Sequence, residues 1–177
     1  IWFSTSYHFD KIQTKNKLAR KRFENYKNQP LEFVFPKRFT GKILKNNNKI
    51  NAAIIREKGS NSEREMAYMM SLSGFNVKDV HMTDIISGRE NLEDIKLLVS
   101  VGGFSNSDVL GSAKGWAGSF IYNKKAKQTL NNFFNRDDSM SLGVCNGCQL
   151  FIELGLINNG HDIKPKMDYN DSGKFEC

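Results

Sequence analysis

The chain has 177 residues, 39% hydrophobic and 25% charged, the balance of a globular protein with room for one ordinary domain and a connecting segment. No apolar run approaches the ~20 residues that a membrane-spanning helix needs, no secretory leader is evident, and three cysteines make no disulfide framework, so a reducing, cytoplasmic setting is expected. The net charge of +7 is concentrated in residues 1–50, with 12 Lys/Arg against 3 Asp/Glu; the remainder is close to neutral, so neither a nucleic-acid nor a membrane partner is expected from charge.

In chain order, the first forty residues show no sustained period, and residues 1–48 read as a connector ahead of a domain over residues 49–177. Helix formers predict one short helix from about Asp10 to Asn25, and Pro30 and Pro36 predict extended chain beyond it. The aromatics of QPLEFVFPKRF are expected to pack on something outside that segment.

From Lys49 strands and helices alternate, the signature of βαβ units around a parallel sheet. INAAIIRE reads as a strand. EREMAYMMSLSGF reads as a helix that places Met66, Met69, Met70 and Ser73 at helical spacing, with methionines as core filler and Gly74 as the stop. NVKDVHM is a second strand, and LEDIKLLVSVGG a short helical lead into a third. SAKGWAGSFIYN is a helix with Ala113, Trp116, Ala117, Phe120 and Ile121 on one face, and TLNNFF adds a turn or two. MSLGV is the fourth strand and NGCQLFIEL its helix, whereas residues 156–177 look irregular. This order fits a flavodoxin-like, doubly wound, mostly parallel sheet with its site at the carboxyl ends of the strands.

The run from Ser141 to Gly155 carries the chemistry. Gly143, Cys145 and Gly147 supply G-x-C-x-G after an apolar strand, the layout of a nucleophile elbow with cysteine in place of serine. The two glycines let helix and strand approach, Met140, Leu142 and Val144 give the strand its apolar side chains, and free N–H groups at the helix start favour a thiolate. The third strand ends in VGGFSNSD at the same sheet edge. One N–H from Gly102-Gly103 and one from Asn146 are placed to cradle an oxyanion, a contribution of about 3 kcal/mol per donor. A bland turn is the other reading of Gly-Gly. Cys145 and Cys148 also spell C-x-x-C, but no second ligand pair accompanies them, so no metal site is expected and Cys148 reads as a small buried residue. A thiolate nucleophile wants a base, and neither His8, His81 nor His161 fits that role by position.

The segments REKGSNSEREM, DVHMTD, GGFSNSDVLGSAKGWA and LGVCNGCQ resemble the class I glutamine amidotransferase domain of the phosphoribosylformylglycinamidine synthase family. WFSTSYHFDKIQ resembles the segment that closes the synthetase portion in the long, single-chain form. The resemblance implies glutamine hydrolysis through a γ-glutamyl thioester on Cys145. The ammonia then passes to the synthetase domain of the same polypeptide, which converts a ribonucleotide amide to an amidine in purine biosynthesis. It implies Gly103 and Asn146 as oxyanion positions, and Gln149, with Gly102 and Phe104, as the glutamine-binding set. ATP and Mg²⁺ are implied for the synthetase region and no cofactor for this segment.

The family's triad adds a His and a Glu in an H-x-E motif. These residues contain none, so the chain reads as truncated at both ends and inactive by itself. Asn106 and Ser107 stand where the family commonly has Tyr-Gly. Two other readings remain open at this level: a cysteine hydrolase of the same fold, and a non-catalytic RNA-binding module that uses the basic N-terminal segment.

Overall fold

The structure, a computed structural model, describes residues 1–28, 32–34, 36–37, 41, 50–157 and 162–174. Two compact units emerge, one from residues 1–41 with 168–177 and one from residues 42–167. Residues 168–174 group with the N-terminal helices.

In the first unit two helices replace the single one expected. Helix α1 spans Trp2–Gln13 and α2 spans Leu18–Asn25. The chain breaks between them because Asn16 and Lys17 both take left-handed conformations, each at φ 57°. That turn is held by Lys15 N–H donating to the Ser172 carbonyl (3.0 Å) and the Asn16 side-chain amide to the Asp171 carbonyl (3.1 Å). Phe3 stacks on Tyr26 and Tyr7 on Phe23, with ring centroids 4.2 and 4.6 Å apart. Asp10 bonds Lys174 and pairs with Arg22 at 2.8 Å. The Lys174 bond first, and then Arg22, hold the Asp10 carboxyl below its usual range against an opposing desolvation. Phe33 and Val34 are exposed; Pro30, Phe35 and Phe39 lie outside the described residues.

The second unit is built on four parallel strands, β1 (Ile50–Arg56), β3 (Phe75–His81), β4 (Leu97–Ser100) and β6 (Met140–Gly143), in the order β3-β1-β4-β6. By position among these strands the order is 2-1-3-4, the flavodoxin-like winding expected, with its switch point between β1 and β4. A two-residue antiparallel ladder pairs β2 (Ser60–Asn61) with β5 (Gly102–Gly103) at the carboxyl ends.

Helix α3 (Glu63–Leu72) covers one face of the sheet, where Ala52, Ile54, Met70, Val99 and Val101 are buried. Helices α4 (Met82–Ser87), α5 (Lys114–Ile121), α6 (Lys124–Phe134) and α7 (Asn146–Glu153) cover the other. Their core holds Ile55, Ile85, Leu98, Trp116, Phe120, Phe133, Leu150 and Phe151. Among the described residues no helix is long and apolar enough to cross a membrane.

Several local expectations are corrected. Met70 is core and Met66 packs against it, but Met69 is exposed: it lies about 100° around the helix from Met70, at the margin of the stripe that faces the sheet. Ile121 is likewise exposed, while Ala113, Trp116, Ala117 and Phe120 are buried. Helix α4 was not foreseen. His81 caps it: its Nδ1 accepts from Thr83 N–H at 3.3 Å, and Asp84 accepts from His81 N–H at 3.1 Å.

The helical lead expected at LEDI is a turn, with Leu92 at φ 61°. The Glu90 carboxylate takes the N–H groups of Asn91 and Leu92, and Arg136 takes the Leu92 carbonyl, so no helical ladder forms there. Helix α6 runs eleven residues rather than a turn or two, started by the Asn123 side chain accepting from Ala126 N–H at 2.9 Å. Met140 and Leu142 in β6, and Val144 just after it, are exposed.

Candidate active site

Strand β6 ends against helix α7 in a corner whose geometry leaves no room for side chains at its glycines. A Cβ on Gly147 would lie 2.1 Å from the Ser100 carbonyl oxygen, and one on Gly143 would lie 2.8 Å from Cys148 Cα. Those contacts are the closeness of helix to strand expressed at single residues. Val144 N–H donates to the Ser100 carbonyl at 3.0 Å, extending the sheet to the residue before the corner.

Cys145 then takes φ 54° and ψ −116°, a conformation rarely held by a residue with a side chain and one that costs about 1–3 kcal/mol. The thiol is exposed. The Cys145 carbonyl accepts from Cys148 N–H (3.0 Å) and Gln149 N–H (3.1 Å), so the helix begins directly under the thiol. Asn146, the first helical residue, has no intrahelical acceptor for its N–H. Cys148 is half-buried and follows one turn on.

Across from the corner, a Cβ on Gly102 would approach Cys145 Cβ at 3.0 Å and its Sγ at 3.7 Å, so the start of β5 lies directly against Cys145. Gly103 sits at φ 99°, and a Cβ there would lie 2.6 Å from both Asn61 N and the Gly59 carbonyl oxygen. The turn 57–61 holds this loop from behind. Phe104 N–H donates to the Gly59 carbonyl at 2.8 Å, and Asn106 N–H to the Lys58 carbonyl at 2.7 Å. The Phe104 N–H is therefore spent on the turn, and its ring is exposed.

Asn106, Ser107 and Asp108 follow at φ 51°, 59° and 48°, three left-handed residues in a row. The departure from Tyr-Gly thus leaves the loop left-handed, with a serine where glycine costs least. Asp108 closes it by accepting from Ala113 N–H at 2.9 Å.

The sequence marks KGSNS as a turn and REKGSNSEREM as one of the family-like segments, but gives no role to Glu57. Glu57, buried, accepts from Lys58 N–H at 2.6 Å and donates through its own N–H to Ser60 Oγ at 3.2 Å. Its Oε1 lies 3.8 Å from His81 Nε2, and its Oε2 is buried without a partner among the described residues. Gly59, at φ 90° with the Phe104 carbonyl oxygen 2.2 Å from where a Cβ would stand, was the sequence signal for this tight packing.

The structure therefore brings together Cys145, Asn146, Gln149, Gly102 and Gly103. Within the second unit the one described histidine, His81, turns its ring to Thr83 and Glu57; His8 belongs to α1 of the first unit. His161 lies outside the described residues. The described residues contain no group of three or more His, Cys, Asp or Glu side chains arranged to hold a metal ion.

Residues 49–177 match the profile of the CobB/CobQ-like glutamine amidotransferase domain. The chain belongs to this glutamine amidotransferase family. It is 40% identical over 183 aligned positions to the phosphoribosylformylglycinamidine synthase of Schizosaccharomyces pombe, an alignment covering 99% of this chain and 14% of that protein. The structure of PurLQS from Thermotoga maritima is similar to it with a TM-score of 0.52 and 26% identity, over 63% of this chain and 47% of that one. The amidotransferase resemblance carried by the motifs is borne out. The independent-hydrolase and RNA-module readings find no support in these relatives.

Proposed function

We propose that this amidotransferase domain is the glutaminase part of a phosphoribosylformylglycinamidine synthase, with Cys145 as nucleophile. The observation that carries the reading is the backbone of Cys145, at φ 54° and ψ −116° where β6 meets α7, with Gly102 pressed against its side chain. Such strain persists where surrounding contacts enforce it, and here it lifts the thiol out of the corner.

In the proposed reaction the Cys145 sulfur attacks the side-chain carbonyl carbon of glutamine. A C–S bond forms, the carbonyl electron pair moves to oxygen, and the N–H groups of Asn146 and Gly103 stabilise that oxyanion. Collapse reforms the carbonyl and expels the amide nitrogen, which takes a proton and leaves as ammonia. Water then attacks the thioester carbon, releasing glutamate and the thiol. The proton carrier is assigned to none of the described histidines, in line with the His-x-Glu pair that the family resemblance implies.

The ammonia goes to an ATP-dependent synthetase region that forms the amidine, in the cytoplasm. ATP and Mg²⁺ are assigned to that region. In the full-length protein, Cys145→Ala is expected to abolish glutamine-dependent product formation while free ammonia still supports it. Loss of both activities, or of neither, contradicts the assignment. The 177-residue chain alone is expected to release no steady ammonia from glutamine, and sustained release would overturn the claim that it lacks its base.

A further inference from the structure

Behind the nucleophile runs a directional chain of three side chains. Ser105 and Asn146 are 1% and 2% exposed. The single hydroxyl hydrogen of Ser105 is given to Asn146 Oδ1 at 2.6 Å. The other end of that amide, Nδ2, donates to Gln149 Oε1 at 2.9 Å. Gln149 is half-buried one turn above Cys145, to whose carbonyl its backbone N–H is bonded.

An amide has distinct ends, so this sequence of donors and acceptors has a polarity. With Oε1 held against Asn146, the opposite end of the Gln149 amide, its N–H₂ donors, is turned away from Asn146 and is the end open to a ligand. Turning the Gln149 amide over would set two N–H₂ groups against each other. Turning Asn146 over as well would let its Nδ2 donate to Ser105 Oγ, but it would strip the buried Ser105 hydroxyl hydrogen of its only acceptor among the described residues, where an unmatched polar group is costly.

We propose that Ser105 and Asn146 are positioning residues that fix which end of the Gln149 amide faces the substrate, so that the site selects a ligand presenting an acceptor oxygen there. The inference rests on the glutaminase reading and adds to it the source of substrate orientation. Ser105 lies in the loop after β5 and Asn146 on α7, so the chain also couples the glycine loop to the helix that carries the nucleophile. The sequence offers no sign of it, since the two residues are 41 positions apart.

The test uses the full-length protein and a glutamine-mimicking diazo-ketone, with inactivation followed as a function of reagent concentration to separate its half-saturating concentration from its limiting rate. Ser105→Ala is expected to raise the half-saturating concentration about tenfold, in keeping with one lost orienting hydrogen bond, with most of the effect there rather than in the limiting rate. Ser105→Thr, which keeps the hydroxyl, is expected to restore it to within about threefold.

The deciding readout is a double-mutant cycle. In a Gln149→Ala background, Ser105→Ala is expected to add almost nothing, because its effect passes through Gln149. A full tenfold penalty in that background would overturn the proposal, as would wild-type behaviour of Ser105→Ala. Iodoacetamide, which reads only the thiol, should alkylate wild type and Ser105→Ala alike; unequal alkylation would show a general disturbance of the corner and overturn the positioning role. Alkylation of the wild type without any diazo-ketone labelling would overturn the glutaminase reading itself, and this inference with it.

Discussion

The elbow at Gly143–Gln149 and the loop at Ser105–Ala113 meet through the Ser105–Asn146 bond, yet they reach unusual backbone geometry by opposite means. In the elbow, glycines flank the one strained residue and make room for it: Gly143 and Gly147 lie where a Cβ would run into Cys148 and Ser100. In the loop, side-chain-bearing residues carry the strain themselves, with Asn106, Ser107, Asp108, Ser112 and Ala113 all at positive φ. The elbow is held by exclusion, because nothing larger fits. The loop is held by hydrogen bonds to its neighbours, notably Asn106 N–H to Lys58 and Ala113 N–H to Asp108. A geometry set by packing should fail abruptly on substitution, whereas one set by hydrogen bonds should loosen by degrees.

The largest effect should come from filling the elbow. Gly147→Ala places a carbon 2.1 Å from the Ser100 carbonyl oxygen, and since backbone atoms on both sides must move, a loss of about 3 kcal/mol is expected in urea denaturation. Wild-type stability of that variant would break the comparison at its stronger arm. In the loop, Asp108→Ala removes the acceptor from the buried Ala113. A loss of about 1–2 kcal/mol is expected, with the elbow still reactive toward iodoacetamide.

Ser107→Gly should act in the opposite direction. It relieves a left-handed residue at φ 59° while adding freedom to the unfolded chain, for a net gain of about 0.5 kcal/mol in thermal denaturation. A loss of stability would mean that the Ser107 side chain contributes contacts beyond its backbone.

The smallest effect concerns the approach to β6, where Asp138 bonds Lys96 and pairs with Arg136 at 2.9 Å. The Lys96 bond first, then Arg136, lower its carboxyl to about 2. Because the folded value is depressed, the group favours the folded state above its unfolded value near ~4, and that contribution is lost as pH falls toward 2. Asp138→Asn should therefore narrow the gap in stability between neutral pH and pH 3 slightly, as read by melts across that range. A steeper acid loss in the variant would reverse the sign of this account.

The α/β unit was legible because its strands and helices are separated by patterns with different periods, and because glycine spacing marks a corner where helix and strand nearly touch. What escaped the sequence was carried by polar side chains acting across distance. Helix α4 begins on a histidine cap, an uncommon choice, so DVHMTD read only as a strand end. LEDI reads as helical until Glu90 and Arg136 take its backbone groups. The break between α1 and α2 depends on Asn16 and Lys17 being left-handed, a conformation that the residue types permit but do not announce. The turn from Glu57 to Asn61 matters through bonds to residues more than forty positions away. The motif around Cys145, Gly102 and Gly103 is visible in the sequence; the Ser105–Asn146–Gln149 hydrogen-bond chain is not.

The central claim is that Cys145 is the nucleophile of a glutamine-shaped site. Its most direct test is intact-mass and peptide-mapping analysis of the full-length protein after reaction with the diazo-ketone glutamine analogue, compared with Cys145→Ala. The account predicts one covalent adduct, mapped to Cys145, suppressed by excess glutamine and absent from the variant. An adduct at Cys148 or elsewhere that persists in Cys145→Ala, or labelling that glutamine fails to suppress, would contradict it.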